Sequence, residues 1–463
     1  MKLINQNMKI ATSLFTALFI FTTGCKTEEK VTLPTVTTYT VTDITTQSAT
    51  SGGNITDSKG MTVASRGVCW AKTDNPTIND NTTTDGSGTG DYTSTLTNLT
   101  PATEYYLRAY ATNKAGTAYG NTVTFTTQSN GTSTFAKGAD IGWLQQMEAT
   151  GYKFYNDAGI ETDCIQILKD HGINSIRLRT WVNPSNDKAS GHCSKDETVA
   201  MAVRSKNAGM RVMIDFHYSD SWADPSKQVK PAAWSGHDFT QLQKDVYDYT
   251  FEVMTALKNA GVTPEWVQVG NEITPGMLLP DGGSDNAHFP QLVKLINQGY
   301  DAVKAVCPTS KVILHIDQGN NNARFRWWFD NAKTYGAKYD IIGLSYYPYW
   351  LSDSHPDYTL SIDDLGKNMN DMVTRYGKEV MVVEVGGEDG QDPQLSAAQN
   401  AAKIQNTYDM LVAVLQKTRA VPNGKGLGVF YWEPQGARSW SHYALSAWGN
   451  DGKPTRALDA FLK

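Results

Sequence analysis

Short apolar runs alternate with longer amphipathic stretches from residue 135 to the C-terminus. Runs that are hydrophobic at nearly every position are typical of parallel strands covered on both faces, whereas the stretches between them have a helical period. The predicted strands are Ala139–Trp143, Ile173–Thr180, Met210–His217, Glu265–Glu272, Val312–Asp317, Asp340–Tyr347, Val380–Glu384 and Leu427–Trp432. Eight strands alternating with helices predict an α/β fold, a (β/α)8 TIM barrel spanning residues 135–463.

The preceding segment, residues 35–128, is rich in Thr, Ser and Gly and has a different pattern. Its short segments alternate between apolar and polar positions and are separated by turn residues, which predicts an all-β domain. The Leu-x-Pro-x-Thr-x-Tyr pattern from Leu99 to Tyr105 resembles a fibronectin type III or immunoglobulin-like sandwich, with Tyr105 as the tyrosine corner. Such a domain would act as a spacer or, alternatively, would bind carbohydrate. Residues 129–134 form a polar linker.

The N-terminus has the pattern of an export signal. Lys2 and Lys9 precede an apolar stretch at 10–21, which is too short for a stable membrane span. Gly24-Cys25 after this stretch resembles a bacterial lipobox, which implies a signal peptide at 1–24, a lipidated Cys25 and a tether at 25–34. The acidic residues that follow resemble surface-export signals of Gram-negative lipoproteins, so we expect a lipoprotein at the outer membrane and cell surface. A secretory signal with an incidental cysteine is the alternative.

Composition narrows the possible partners. The chain has 463 residues, of which 19% are charged, and its net charge is −6. This balance argues against nucleic-acid binding, which needs clustered positive charge. Its 12 Trp and 22 Tyr suit sugar binding, although large domains also bury aromatic residues. The remaining cysteines have no metal-site spacing, and a disulfide between Cys164 and Cys193 stays open.

Two predicted strands, the fourth and the seventh, end in the glutamates Glu272 and Glu384. Strand ends converge at the mouth of a barrel, and these two strands lie nearly opposite each other there. Cleavage of a glycosidic bond needs one protonated and one ionised carboxyl group. Glu272 follows Asn271, whose amide can bind a sugar hydroxyl. We therefore assign Glu272 as general acid/base and Glu384 as nucleophile, with carboxyl carbons about 5–5.5 Å apart.

Further polar and aromatic residues at the predicted strand ends are candidates for substrate binding: Asp140, Arg179, His217, Asn271, Asp317, Tyr347 and Trp432. Arg179 and Tyr347 are expected beside Glu384, where they would keep its carboxylate charged and oriented. The charge of Glu384 should in turn raise the pKa of Glu272. Each of these residues has a structural role as its alternative.

The segment Asp215–Gln228, with the sequence DFHYSDSWADPSKQ, resembles the signature of the arabinogalactan endo-β-1,4-galactanases, glycoside hydrolase family 53. Further segments that agree with this family are 174–184, 268–272, 341–350 and 428–434. The resemblance implies retaining endo-hydrolysis of β-1,4-galactan, the galactose side chains of pectin. It also implies an acid/base on strand four, a nucleophile on strand seven, and Trp222 as a stacking platform. We expect a monomer that requires no cofactor.

One segment departs from the family pattern. Val385-Gly386-Gly387-Glu388 follows the proposed nucleophile, where many members have Thr-Ala-Tyr or a similar sequence. Some bacterial members bind a structural calcium nearby, and residues 389–392 form only a fragment of such a loop. Two alternatives to a galactanase stay open: a related retaining enzyme acting on another polymer such as mannan, and a non-catalytic glycan-binding surface protein.

Overall fold

The computed structural model describes residues 31–127, except 46 and 101–102, and residues 135–463, except 186–191 and 352–356. The predicted signal peptide, Cys25, most of the tether and the linker at 129–134 therefore lie outside the described residues. The chain divides into two compact units, Met1–Gly131 and Thr132–Lys463. In the described parts of both units, no helix combines the length and the apolar character needed to cross a membrane.

The N-terminal unit contains two antiparallel sheets. One consists of Thr35–Thr38, Ala49–Asp57 and Gly90–Leu96. The other consists of Ser65–Ala71, Asn81–Thr82, Glu104–Asn113, Gly116–Tyr119 and Val123–Thr126. The Tyr105 hydroxyl accepts the backbone N–H of Thr100 at 3.0 Å, which is the contact of a tyrosine corner. The assignment to the fibronectin type III or immunoglobulin-like class stays a prediction.

The C-terminal unit is a closed barrel of eight parallel strands, as predicted. The strands, in chain order and in their order around the barrel, are Ala136–Asp140, Ser175–Thr180, Arg211–Phe216, Trp266–Val269, Lys311–Ile316, Ile341–Tyr346, Glu379–Val385 and Gly426–Trp432. The first strand was predicted three residues too late, because Lys137 and Gly138 interrupt the apolar pattern at its start. Trp143, its predicted end, instead precedes a helix.

Helices follow the barrel strands: α1 Leu144–Ala149, α2 Cys164–Asp170, α3 Lys195–Asn207, α4 Phe239–Asn259, α5 Phe289–Val306, α6 Asn322–Thr334, α7 Ile362–Tyr376, α8 Ala397–Arg419 and α9 Arg438–Ser441. Capping boxes at Ser194 and Ser396 begin α3 and α8. Short two-residue strands, Gly276–Met277 and Gly282–Gly283, form a hairpin after the fourth barrel strand. Cys164 and Cys193 are buried, and no disulfide joins them.

The barrel interior changes from apolar to polar along its axis. Its apolar cluster contains Ala136, Met213, Trp266, Ile313, Ile341, Met381, Val383 and Phe430. Successive inward-facing positions of a strand are two residues apart. Two residues after Met213, Trp266 and Ile313, the side chains are Asp215, Gln268 and His315, which are buried. The C-terminal half of the barrel is therefore a polar layer directly beneath the strand ends.

Candidate active site

Glu272 lies three residues beyond the end of the fourth barrel strand, on a tight turn. Gly270 has φ 88°, and Glu272 itself has φ 44°, a left-handed conformation that is uncommon for a residue with a side chain. Its side chain is partly buried, and its Oε1 accepts a hydrogen bond from the Ser345 hydroxyl at 2.6 Å. Strained backbone of this kind is frequent at functional sites.

Glu384 lies within the seventh barrel strand and is only 6% exposed. Nη1 of Arg177 lies 2.9 Å from its Oε1, and the Tyr347 hydroxyl donates to its Oε2 at 3.1 Å. The structure thus places Tyr347 beside Glu384, as expected. The expectation for Arg179 was wrong, because the guanidinium at this carboxylate belongs to Arg177, two residues earlier on the same strand.

Arg179 instead contacts the carboxylate of Glu433, a residue that was not among the predicted site residues. It forms an ion pair with Glu433, and its Nη1 lies 3.3 Å from Oδ1 of Asp140. Burial raises the pKa of Glu433 to about 8, and Arg179 opposes this rise. Arg179 is 1% exposed and lies 4.3 Å from the ring centre of Trp222. The geometry therefore favours a supporting role beneath the aromatic residues for Arg179 and for Asp140, which is fully buried.

Arg177 is the centre of the buried polar layer. Its guanidinium donates to Gln268 Oε1 at 2.7 Å, Asp140 Oδ2 at 2.7 Å, Asp215 Oδ2 at 2.8 Å and Asn271 Oδ1 at 2.8 Å. Although burial acts to raise the pKa of Asp215, Arg177 and His217 hold it below its ordinary value. A buried cation with this many partners is fixed in place, so it presents a preorganised positive charge to Glu384.

His217 and Asn271 hold the loop that carries Trp222. His217 Nδ1 accepts the backbone N–H of Ala223 at 3.1 Å, so its other nitrogen, Nε2, carries the hydrogen that Asp215 accepts at 3.0 Å. The amide nitrogen of Asn271 donates to the Ala223 carbonyl at 2.8 Å. Both side chains are nearly buried, and their contacts hold this loop against the strand ends.

Trp222 and Trp432 belong to one aromatic cluster at the barrel mouth. Their ring centres are 5.7 Å apart, and Trp143 lies 5.1 Å from Trp432 and 6.1 Å from Trp222. Trp222, the predicted stacking platform, and Trp432, predicted only as a substrate-binding residue, are both partly exposed, so part of each indole faces solvent.

Ser345 connects Glu272 to a buried histidine. His315 Nε2 lies 2.7 Å from the Ser345 oxygen, and the Ser345 hydroxyl donates onward to Glu272. Burial and the charge of Arg177 lower the pKa of His315 well below its ordinary value, so the ring is neutral. Since Ser345 uses its hydrogen for Glu272, Nε2 of His315 carries the ring hydrogen and donates it to Ser345. The chain of donors ends on Oε1 of Glu272.

Four of the residues missed by the sequence reasoning share one signal. Arg177, Asp215, His315 and Ser345 each lie two positions before a predicted site residue: Arg179, His217, Asp317 and Tyr347. Because alternate residues of a strand face the same side, the period of two would have placed all four inside the barrel, one layer deeper.

The two glutamates differ in their electrostatic environments. Burial, and then the negative charge of Glu384, raise the pKa of Glu272 well above its ordinary value. Burial also raises the pKa of Glu384, to about 7, but Arg177 and Tyr347 act against this rise. Of the pair, Glu272 therefore keeps its proton and Glu384 ionises first.

Both glutamates open onto the same cavity of about 710 Å³. Its lining includes Asp224, Pro225, Ser226, Glu272, Asp317, Gln318, Ser345, Tyr347, Trp350, Leu351 and Glu384. Of the predicted binding residues, Asp317 and Tyr347 are in this lining. The Asp317 carboxylate is held by Arg324, with Nη1 2.9 Å from both oxygens, and by the Thr274 hydroxyl.

The glycines of the loop after Glu384 are explained by packing. A Cβ on Gly386 would lie 3.0 Å from the Tyr347 ring, and one on Gly387 would lie 2.6 Å from Thr407. Glycine at 386 thus allows Tyr347 its close approach. Asp389, further along this loop, accepts two hydrogen bonds from Arg438 at 2.7 and 2.9 Å.

Two acidic side chains in or beside the segment 389–392 have cationic partners. Besides the Asp389–Arg438 pair, Glu388 pairs with Lys403. In the part of the chain that the structure describes, no group of three or more His, Cys, Asp or Glu side chains is arranged to hold a metal ion. Arg438 and Lys403 thus balance the negative charge of these two carboxylates.

Comparison with known proteins agrees with this geometry. The profile of Glycosyl hydrolase family 53 matches residues 136–461. A protein of Aspergillus terreus named probable arabinogalactan endo-beta-1,4-galactanase A is 37% identical over 308 residues, which cover 64% of this chain and 85% of that protein. An arabinogalactan endo-beta-1,4-galactanase of Cellvibrio japonicus is 33% identical over 359 residues, covering 71% and 90%.

A solved structure, the Ignisphaera aggregans GH53 catalytic domain, superposes with a TM-score of 0.64 at 29% identity. The match covers 71% of this chain and 95% of that domain. The family profile extends over nearly the whole C-terminal unit, from the first barrel strand to the last helical turn. From the barrel, its paired glutamates and these matches, we conclude that the chain belongs to glycosyl hydrolase family 53.

Proposed function

We propose that this protein is an endo-β-1,4-galactanase that cleaves the galactan side chains of pectin with retention of configuration. The observation that carries the proposal is the pair of glutamates lining one cavity. Glu384 is held by Arg177 and Tyr347, and burial together with the charge of Glu384 raises the pKa of Glu272. The family and its galactanase members support galactan as the substrate.

In the first step, Glu384 attacks the anomeric carbon, and the bond from this carbon to the leaving oxygen breaks. The leaving oxygen keeps the electron pair and receives the proton of Glu272. Because Oε1 of Glu272 accepts from Ser345, the proton is carried on Oε2. Arg177 and Tyr347 stabilise the ionised form of Glu384 before the attack.

In the second step, water replaces the enzyme at the anomeric carbon. The negative charge of Glu384 has been consumed in the glycosyl ester, so the pKa of Glu272 falls and its carboxylate becomes a base. It takes a proton from water, the water oxygen bonds to the anomeric carbon, and the carboxylate of Glu384 is released. Two inversions at this carbon leave its configuration unchanged.

Reducing-sugar release from galactan, mannan and β-glucan tests the substrate. We expect sugar release from galactan, whereas release from mannan alone would show that the substrate is a different polymer. Glu272→Gln should lose at least about a thousandfold in kcat on galactan while still binding it, since it keeps the shape of the site. If the wild type binds galactan without cleaving it, the protein is a glycan-binding protein. NMR of the first product anomer should show the β form.

We also propose that the chain is an exported lipoprotein anchored through Cys25 at the outer membrane and cell surface. The support is the sequence alone: a short apolar stretch followed by Gly24-Cys25 and acidic residues. Metabolic labelling with a fatty acid should mark the wild type but not Cys25→Ser. A labelled Cys25→Ser variant, or an unlabelled wild type, would refute lipidation. We expect the enzyme to act as a monomer, which sedimentation of the lipid-free chain would check.

A further inference from the structure

A second hollow of about 580 Å³ lies beside the active-site cavity. Pro225, Asp317 and Gln318 line both spaces, so the two adjoin. The far part of the second hollow is lined by Thr274, Pro275, Arg324 and Trp327. Next to the active-site cavity there is thus a second space, between the loop after the fourth barrel strand and the start of α6.

The position of this hollow relative to the two glutamates indicates on which side of the cleaved bond it lies. Thr274 and Pro275 lie two and three residues after Glu272, on the same loop. In the proposed reaction Glu272 protonates the leaving oxygen, so the part of the substrate beyond this oxygen lies on the Glu272 side. For a galactan chain, this is the aglycone side, which continues toward the reducing end.

The hollow combines one flat apolar surface with fixed polar groups. Trp327 is 43% exposed, and its ring packs edge-on against Phe289 at 6.1 Å, which restrains the indole. Arg324 lies three residues earlier on α6 and thus on the same side of the helix. Its Nη1 contacts both oxygens of Asp317 at 2.9 Å, while its side chain remains 30% exposed.

We propose that Trp327 and Arg324 form an aglycone-side subsite, which binds a galactosyl unit of the polymer beyond the unit next to the cleaved bond. The indole stacks on the C–H face of the sugar, and the remaining N–H groups of Arg324 donate to its hydroxyl oxygens. This assignment rests on the proposed function. It makes Trp327 a determinant of where the chain is cut, separate from the aromatic cluster around Trp222.

Trp327→Ala and Trp327→Leu test the subsite. Leucine keeps apolar contact with Phe289 but lacks a flat ring, so it covers the case in which the alanine variant folds poorly. Tyr335→Ala is the matched control, because Tyr335 is 42% exposed, lies at the end of α6 and stacks on Phe289, yet does not line the hollow. The three variants are compared with the wild type on galactan, on reducing-end-labelled β-1,4-galactohexaose and on a nitrophenyl β-galactobioside.

We expect both Trp327 variants to lose about fivefold in kcat/KM on galactan, and Tyr335→Ala to lose none. With the labelled hexaose, loss of aglycone binding should move cleavage toward the reducing end and shorten the labelled products. The nitrophenyl substrate does not reach the second hollow, so its kcat/KM should stay unchanged.

An unchanged cleavage pattern in folded Trp327 variants, or a shift toward the non-reducing end, would overturn the subsite while leaving the galactanase intact. An equal loss on the nitrophenyl substrate would also overturn it, since the effect would then act on the reaction itself. If the wild type does not cleave galactan, the proposed function is refuted, and the subsite assignment, which depends on it, is refuted as well.

Discussion

Replacing Tyr347 with phenylalanine removes one hydrogen bond from the proposed nucleophile and also the hydrogen bond between Tyr347 and Tyr443. The Tyr347 hydroxyl donates to Oε2 of Glu384 at 3.1 Å, while Oε1 keeps its contact with Arg177. A hydrogen bond to a charged group contributes about 1.5–3 kcal/mol, and one pKa unit corresponds to about 1.4 kcal/mol. Because Arg177 remains, we take the lower limit, which is a shift of about one unit.

The sign follows from which form of Glu384 the hydroxyl stabilises. A donor favours the carboxylate, so its loss raises the pKa of Glu384 above its value of about 7. Since the nucleophile must be ionised, the acidic limb of the kcat/KM profile on galactan should move up by about one pH unit. Below the limb, Tyr347→Phe should therefore be about tenfold slower than the wild type, and well above it the difference should shrink.

Tyr346→Phe is the matched control, because Tyr346 is the preceding residue but its hydroxyl bonds to Ser361 at 2.8 Å, away from Glu384. This variant should lose stability without a shift of the limb. A uniform loss of kcat/KM at every pH in Tyr347→Phe, with the limb unmoved, would show that Tyr347 acts on the substrate and does not tune the nucleophile.

Three further predictions concern other parts of the molecule. The hydrogen bond from Ser345 lowers the pKa of Glu272, so Ser345→Ala should raise this pKa. The alkaline limb of the pH profile should then move up by about half a unit. A downward shift of this limb would contradict the prediction. Arg438→Met should lower the free energy of unfolding by about 3 kcal/mol in urea titrations, since it leaves the buried Asp389 without its cation. EDTA should not change the Tm of the wild type, and a drop in Tm with EDTA would instead reveal a bound metal. Tyr105→Phe should destabilise the N-terminal unit by about 1 kcal/mol in calorimetry and leave galactan hydrolysis unchanged, and a loss of activity would contradict this expectation.

The barrel could be predicted from the sequence because parallel strands that are buried on both faces must be apolar at nearly every position. All eight strands were located from apolar runs, and the first was misplaced only where Lys137 and Gly138 break the run. The strand ends also indicated Glu272, Glu384 and Tyr347, which line one cavity. These positions follow from local pattern, because the C-terminal ends of barrel strands converge whatever the intervening helices are.

Pairing of charges across the barrel depended on the tertiary structure. Arg177 and Arg179 face the same interior from one strand, and nothing in their local sequence tells which of them reaches Glu384. The answer depends on Glu433, a residue 254 positions from Arg179 that is buried beside it and needs a cation.

The sequence by itself thus determined the barrel and the two carboxylates at its mouth, since hydrophobic periodicity and strand ends are local properties. Only the tertiary structure decided which arginine holds Glu384, that His315 and Ser345 lead to Glu272, and that Trp327 lines a hollow beside the active-site cavity. The physical reason is that a buried charge is stabilised by partners that are distant in sequence. These partners come into contact only when the barrel has closed.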